Sequence, residues 1–212
     1  MKDGLMEGKK IAVLVESEFI PEEIEVYRHG FTATGAEVHF MSRLWGNANL
    51  TFFSDVEEIG HTPQTLEVNL DFQNVQLEDY AAVIMAANYT SVRLRSFERP
   101  EGQPFSADMV RSAPAVQFFA RAMANPRIVK GALCHGLWIL TPNPELLKGR
   151  KVICHEVVLA DILNCGAQYV PPDGQNRGVV VDRDLITGRS KNEVRPFVHA
   201  IARQILSLQM EG

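Results

Sequence analysis

Cysteine is scarce in this chain: Cys134, Cys154 and Cys165 are its three thiols. The count is odd and no C-x-x-C spacing occurs, which argues against a disulfide framework and a zinc site. Reduced thiols are the default, and Cys154 and Cys165 read as small buried hydrophobes. A cluster of basic charge is missing too. The formal net charge is −5 at pH 7, with no basic block. Nucleic acid and anionic membranes are therefore not expected partners. No apolar run is long enough to span a bilayer, and the start, MKDGLMEGKK, lacks the apolar core of a signal peptide. A cytoplasmic protein is the expectation. Repeats, low-complexity stretches and linkers are missing as well. Residues 1–212 read as a single domain, with 1–8 a flexible N-terminus.

What is present is alternation. "KKIAVLVE" (9–16) reads as a buried strand, and "PEEIEVYRHGFTATG" as a helix with Pro21 at its first position and Gly35 past its end. Ile24, Tyr27 and Phe31 share one face of that helix. "AEVHFMS" (36–42) is a second strand, so the chain opens β-α-β. Residues 43–78 suggest short exposed strands in "NLTFFSD" and "QTLEVNLDF". "YAAVIMAA" (80–87) is a buried strand, and 88–105 a polar insertion loop placed to cover something. A helix over 106–126 is expected in two pieces because of Pro114. "RIVKGALC" is a strand, "HGLWIL" opens a helix, "KVICHEV" is a short strand and "VLADILNCG" a helix. "QYV", "GVVVDRD" and "LITG" are late strands, and "KNEVRPFVHAIARQILSLQM" is the terminal helix. This order predicts an α/β fold: a doubly wound three-layer sandwich around a mostly parallel sheet. Ligands bind beyond the carboxyl ends of such strands.

Cys134 stands at one of those ends. In "GALCHGLWIL" the pattern Ala132-x-Cys134-x-Gly136 follows a β-branched run and precedes an apolar stretch. It has the form of a nucleophile elbow, in which small flanking residues let strand and helix approach. A helix N-terminus there would lower the thiol pKa, and the His135 N–H would face a developing oxyanion. His135 itself is either a base or a rim group that orients substrate.

At these residues the sequence resembles the ThiJ/PfpI superfamily, the DJ-type proteins with a glutamine-amidotransferase-like, flavodoxin-like fold. "KKIAVLVESEF", "EDYAAVIMAA", "LKGRKVICHEVVLADILNCGAQYV" and "VVVDRDLITGRSKNEVRPFVHAI" are similar to successive family segments, so the likeness covers most of the chain. It implies a glutamate beside the cysteine, which falls on Glu23 in "PEEIE", with Glu22 its nearest rival. Burial and a nearby thiolate should raise the Glu23 pKa, so that it moves a proton. The resemblance also implies a homodimer and no cofactor.

Two departures stand out. Ala86 and Ala87 occupy the positions of a glycine pair that supplies an oxyanion N–H in the family. Asn88 and Ser91 stand where protease-like members carry an arginine and a glutamate. The expected site is then Cys134 as nucleophile, Glu23 as acid/base and His135. Backbone groups of Ala87, His135 and Gly136 form the oxyanion hole, and Asn88 and Tyr89 line the substrate pocket. No metal is expected. The expected substrate is a small reactive carbonyl, converted by glyoxalase III-like or deglycase-like chemistry. A cysteine hydrolase or hydratase and a non-enzymatic redox sensor or chaperone-like stress protein are the alternatives.

Overall fold

The structure, a computed structural model, describes residues 4–56 and 60–210. Strand β1 (Lys10–Leu14) leads into α1 (Pro21–Thr32), and β2 (Glu37–Met41) follows. Next come β3 (Leu50–Phe53), β4 (Thr65–Val68) and β5 (Tyr80–Met85). Short helices α2 (Thr90–Arg93) and α3 (Ala107–Arg111) precede α4 (Pro114–Ala124) and β6 (Val129–Leu133). The chain closes with β7 (Lys151–Val152), α5 (Glu156–Asn164), β8 (Gln168–Tyr169), β9 (Val179–Asp182), β10 (Leu185–Gly188) and α6 (Val194–Met210).

The central sheet has six strands in the order β2-β1-β5-β6-β10-β9. All neighbours run parallel except β9 against β10. β1, β5 and β6 are buried almost throughout, as their unbroken apolar runs require of strands covered on both faces. The mostly parallel α/β architecture read from the sequence is therefore present. Helices α1 and α6 pair on one side through Tyr27 and Phe197, whose ring centroids lie 6.2 Å apart. Gly131 lets α6 press onto β6: a Cβ there would meet Ile201 Cδ1 at 2.8 Å and Phe197 Cζ at 2.9 Å.

Local signals explain most boundaries. Pro21 starts α1 with Glu22 and Glu23 in its first turn. Pro114 splits the 106–126 segment into α3 and α4, because Ala113 before it takes an extended ψ of 134°. β3 and β4 form a separate antiparallel pair. Three expectations need correction. The stretch after Cys134 is a 3₁₀ turn, Gly136–Ile139, rather than an α-helix. Pro142 and Pro144 lie just beyond and remove the amides a longer helix would use. "KVICHEV" and "QYV" contribute only the two-residue pair β7–β8, outside the main sheet. Of the segment expected to be flexible, residues 1–3 lie outside the described residues; within 4–8, Met6 is fully buried and donates its N–H to Thr34 O at 2.9 Å. No described helix is long and apolar enough to cross a membrane.

Candidate active site

The carboxyl ends of β1, β5 and β6 bring three segments together. Glu23 arrives on the first turn of α1, after β1. Ala86, Ala87 and Asn88 follow β5, and Cys134 follows β6. Cys134 has φ +57° and Asn88 φ +64°, left-handed values that side chains other than glycine seldom adopt. The Cys134 turn is held from two sides. Its N–H donates to Gly188 O at 2.8 Å, and its carbonyl accepts from His155 N at 3.4 Å. Gly136 lies so close to β5 that a Cβ would stand 3.1 Å from Met85 O.

Glu23 is fully buried, whereas Glu22 and Glu25 are exposed. Its carboxylate accepts the Ala87 N–H at 3.0 Å (Oε1) and 2.9 Å (Oε2). The Tyr27 hydroxyl donates to Oε1 at 2.6 Å. Burial raises the Glu23 pKa to about 7, against the pull of these donors. Among the described residues no hydrogen bond joins Glu23 to the Cys134 thiol, yet the Glu23 charge acts on it. Burial first, then that charge, push the thiol up to about 12; the backbone N–H groups of His135 and Asn88 oppose the rise. The low thiol pKa expected from a helix N-terminus is therefore not what the geometry produces. A single 3₁₀ turn supplies little dipole, and desolvation dominates.

His135 is 8% exposed, and both its ring nitrogens are buried without a hydrogen-bond partner. Burial, then the neighbouring His155, lowers its pKa to about 4, so the ring is neutral at physiological pH. It sits in an aromatic wall: Trp138 lies 5.1 Å away, Tyr89 5.4 Å, and His155 packs edge-on at 4.9 Å. The segment after β5, whose first residues form the short helix α2 rather than the expected loop, is fastened to this wall. Ser91 Oγ donates to His135 O at 3.0 Å, and Arg95 donates to Trp138 O and Thr141 Oγ1. Asn88 Nδ2 donates to Asp55 Oδ2 at 2.8 Å, while half of the Tyr89 surface stays exposed. No described group of three or more His, Cys, Asp or Glu side chains is arranged to hold a metal ion.

Glu23, the Ala87 N–H, Cys134 and the backbone amides of His135 and Asn88 thus meet at one place, whereas the His135 ring and Tyr89 stand in the aromatic wall and the Asn88 side chain turns to Asp55. The Ala87 N–H is engaged by Glu23, and the Asn88 N–H faces the thiol instead. Tyr27, Ser91, Trp138 and His155 are neighbours that sequence reading did not assign to the site. Only Tyr27 carried a signal, its four-residue spacing from Glu23 on one helix face.

Residues 100–204 match the model of the DJ-1/PfpI family. A Bacillus subtilis (strain 168) protein named "Putative cysteine protease YraA" is 24% identical over 190 residues, covering 90% of this chain and 94% of that protein. "Protein/nucleic acid deglycase 2" of Escherichia coli (strain K12) is 25% identical over 191 residues, covering 90% and 94%. A solved two-domain protein of Anabaena variabilis, with DJ-1/ThiJ/PfpI-like and ferritin-like domains, superposes with a TM-score of 0.71 at 22% identity. That match covers 93% of this chain and 48% of the two-domain protein, so the chain spans about half of its length.

Proposed function

Since the chain matches the DJ-1/PfpI family over residues 100–204 and has the fold of its ThiJ/PfpI relatives, we propose that it is a cysteine-dependent enzyme acting on small reactive carbonyls. The observation that carries this reading is the pairing of a desolvated thiol with a buried carboxyl whose pKa, about 7, suits a base at neutral pH. A thiol held near 12 cannot supply thiolate unaided. Glu23 takes its proton as the sulfur attacks, and the strained Cys134 turn acts as a nucleophile elbow.

With a 2-oxoaldehyde such as methylglyoxal, Cys134 Sγ bonds to the aldehyde carbon while the C=O π bond breaks. The oxygen faces the N–H groups of His135 and Asn88, then takes the proton held by Glu23. The Glu23 carboxylate next removes the hydrogen of that carbon as a proton and returns it to the adjacent carbon, while the hydroxyl proton passes from the first oxygen to the second, leaving the thioester of a 2-hydroxy acid. Water hydrolyses the thioester, releasing a 2-hydroxy acid and the thiol. An amine or thiol adduct of such an aldehyde joins the same sequence when Cys134 Sγ displaces the amine or thiol from that carbon, the C–N or C–S bond breaking and the leaving group taking the proton held by Glu23. Tyr89, Trp138 and His135 form an apolar wall suited to a small, weakly polar substrate. A homodimer, as the resemblance implies, belongs to this proposal.

Peptide hydrolysis fits less well, since among the described residues no carboxylate holds either ring nitrogen of His135. The test is a panel of methylglyoxal, glyoxal, an amide and a peptide, run on wild type and Cys134→Ala. Methylglyoxal should disappear with stoichiometric lactate in wild type only. Equal rates for the two proteins, or turnover of the peptide alone, would overturn the reading.

A further inference from the structure

The two oxygens of Glu23 are not equivalent. Oε1 accepts from both the Tyr27 hydroxyl, at 2.6 Å, and the Ala87 N–H, at 3.0 Å. Among the described residues Oε2 accepts only the Ala87 N–H, at 2.9 Å. A tyrosine is not needed here for packing. Tyr27 is fully buried, with its ring against Phe31 at 6.3 Å and Phe197 at 6.2 Å, and phenylalanine would fill the same space. Its hydroxyl is the one polar group that its helix face adds to the site, one turn beyond Glu23.

We propose that Tyr27 is a positioning residue: by occupying Oε1 it assigns the movable proton to Oε2 and holds Glu23 in a state able to deprotonate Cys134. This rests on the reading of Glu23 as base to the Cys134 thiol. The direction of the bond follows from chemistry. Burial, then the Glu23 charge, push the Tyr27 pKa well up, so the phenol remains a donor at every working pH. A carboxylate only accepts, and a phenol O–H stabilises it over the acid. The step itself is a proton transfer: the S–H bond breaks, the proton passes to Oε2, and the electron pair stays on sulfur.

Few other groups face Glu23. Its own helix offers Tyr27, the end of β6 offers Cys134, and the end of β5 offers the Ala87 N–H. Helix α6 presents the uncharged Phe197 to Tyr27. Tyr27 and Ala87 are therefore the donors that keep burial from pushing Glu23 higher.

The experiment needs no substrate. Iodoacetamide alkylation of the peptide carrying Cys134 is followed by mass spectrometry across neutral pH in wild type and Tyr27→Phe. A hydrogen bond to a charged group contributes enough to move a pKa by about one to two units. The midpoint of the rise in alkylation rate should shift to higher pH by that amount, with a roughly tenfold lower rate at neutral pH. The infrared carboxylic-acid band that Glu23→Gln removes should persist to correspondingly higher pH. Incorporation of 3-fluorotyrosine at position 27 keeps the fold and makes the phenol a stronger donor, so the midpoint should move down instead. An unmoved midpoint in both proteins, or a loss of rate equal at every pH, would overturn the proposal. If the midpoint shifts but wild type converts no carbonyl, the role of Tyr27 stands and the substrate assignment falls.

Discussion

At the amino end of β6, Lys130 is fully buried, and at the carboxyl end Cys134 is nearly so. The two burials are built differently. Lys130 Nζ donates to Asn125 O at 2.9 Å and to Asp184 Oδ2. Arg150 reaches Asp182 Oδ2 at 2.6 Å, Asp182 O at 2.7 Å and Asp184 Oδ1 at 2.8 Å. Cations and carboxylates are matched, and each makes several bonds. Burial alone would raise Asp184, but Lys130 and Arg150 together hold its carboxyl below the ordinary range. At the Cys134 end, Glu23 is held up, the thiol is held up, and His135 has two idle nitrogens. Cations hold the buried Asp184 carboxyl charged, although burial still pulls the Lys130 pKa down; Glu23, which meets only neutral donors among the described residues, is driven toward its uncharged form and is available for chemistry.

The largest expected effect breaks the site end. Glu23→Gln should lower carbonyl conversion about 10²–10⁴-fold, the usual share of an acid/base group. The same change should alter stability with the opposite sign. The native pKa of Glu23 is raised from 4.5 to about 7, so its favourable contribution is complete below the lower value and is lost as pH rises through the upper one. Glutamine escapes that loss, roughly 3 kcal/mol at alkaline pH by linkage. Urea unfolding of both proteins above and below neutrality checks it. A variant no more stable than wild type at alkaline pH would mean that the carboxyl is not strained by burial.

The brace should respond in the reverse way. Asp184→Asn leaves Lys130 buried with a weaker partner and should lower unfolding free energy by about 3–5 kcal/mol, the range for a broken buried pair. Activity per folded molecule should stay at the wild-type level, which a titration of active sites would show. A loss of activity larger than the loss of folded protein would join the two ends functionally and dissolve the contrast.

The smallest effect lies between them. Gly131→Ala forces a methyl against Ile201 and Phe197 of α6, an overpacking that typically costs about 1–3 kcal/mol. Thermal unfolding should show it while the alkylation profile of Cys134 stays put. A moved profile would mean that the position of α6 is transmitted to the site through Phe197 and Tyr27.

Much of the scaffold was legible because its causes are local. Unbroken apolar runs require strands covered on both faces, and β1, β5 and β6 are such strands. Pro21 and Pro114 set helix starts through their fixed φ and missing amide. Cys134 was legible as a singular thiol because small residues at a strand end tolerate a left-handed turn. The 3₁₀ turn after it was misread, since "HGLWIL" has helical spacing and the prolines that stop it lie further on.

The amino-acid order by itself determined a parallel α/β chain with a cysteine at a strand end and an acidic helix start nearby. Those features depend on periodicity, on proline and glycine stereochemistry, and on which residues are adjacent. Tertiary structure alone decided the acid–base character of the site. A pKa depends on desolvation and on donors that arrive from distant segments, and here those are Ala87 for Glu23 and the Asn88 and His135 amides for Cys134. Glu22, Glu23 and Glu25 are the same residue type in one helical turn, and only packing against β5 buries Glu23 and leaves the other two in water.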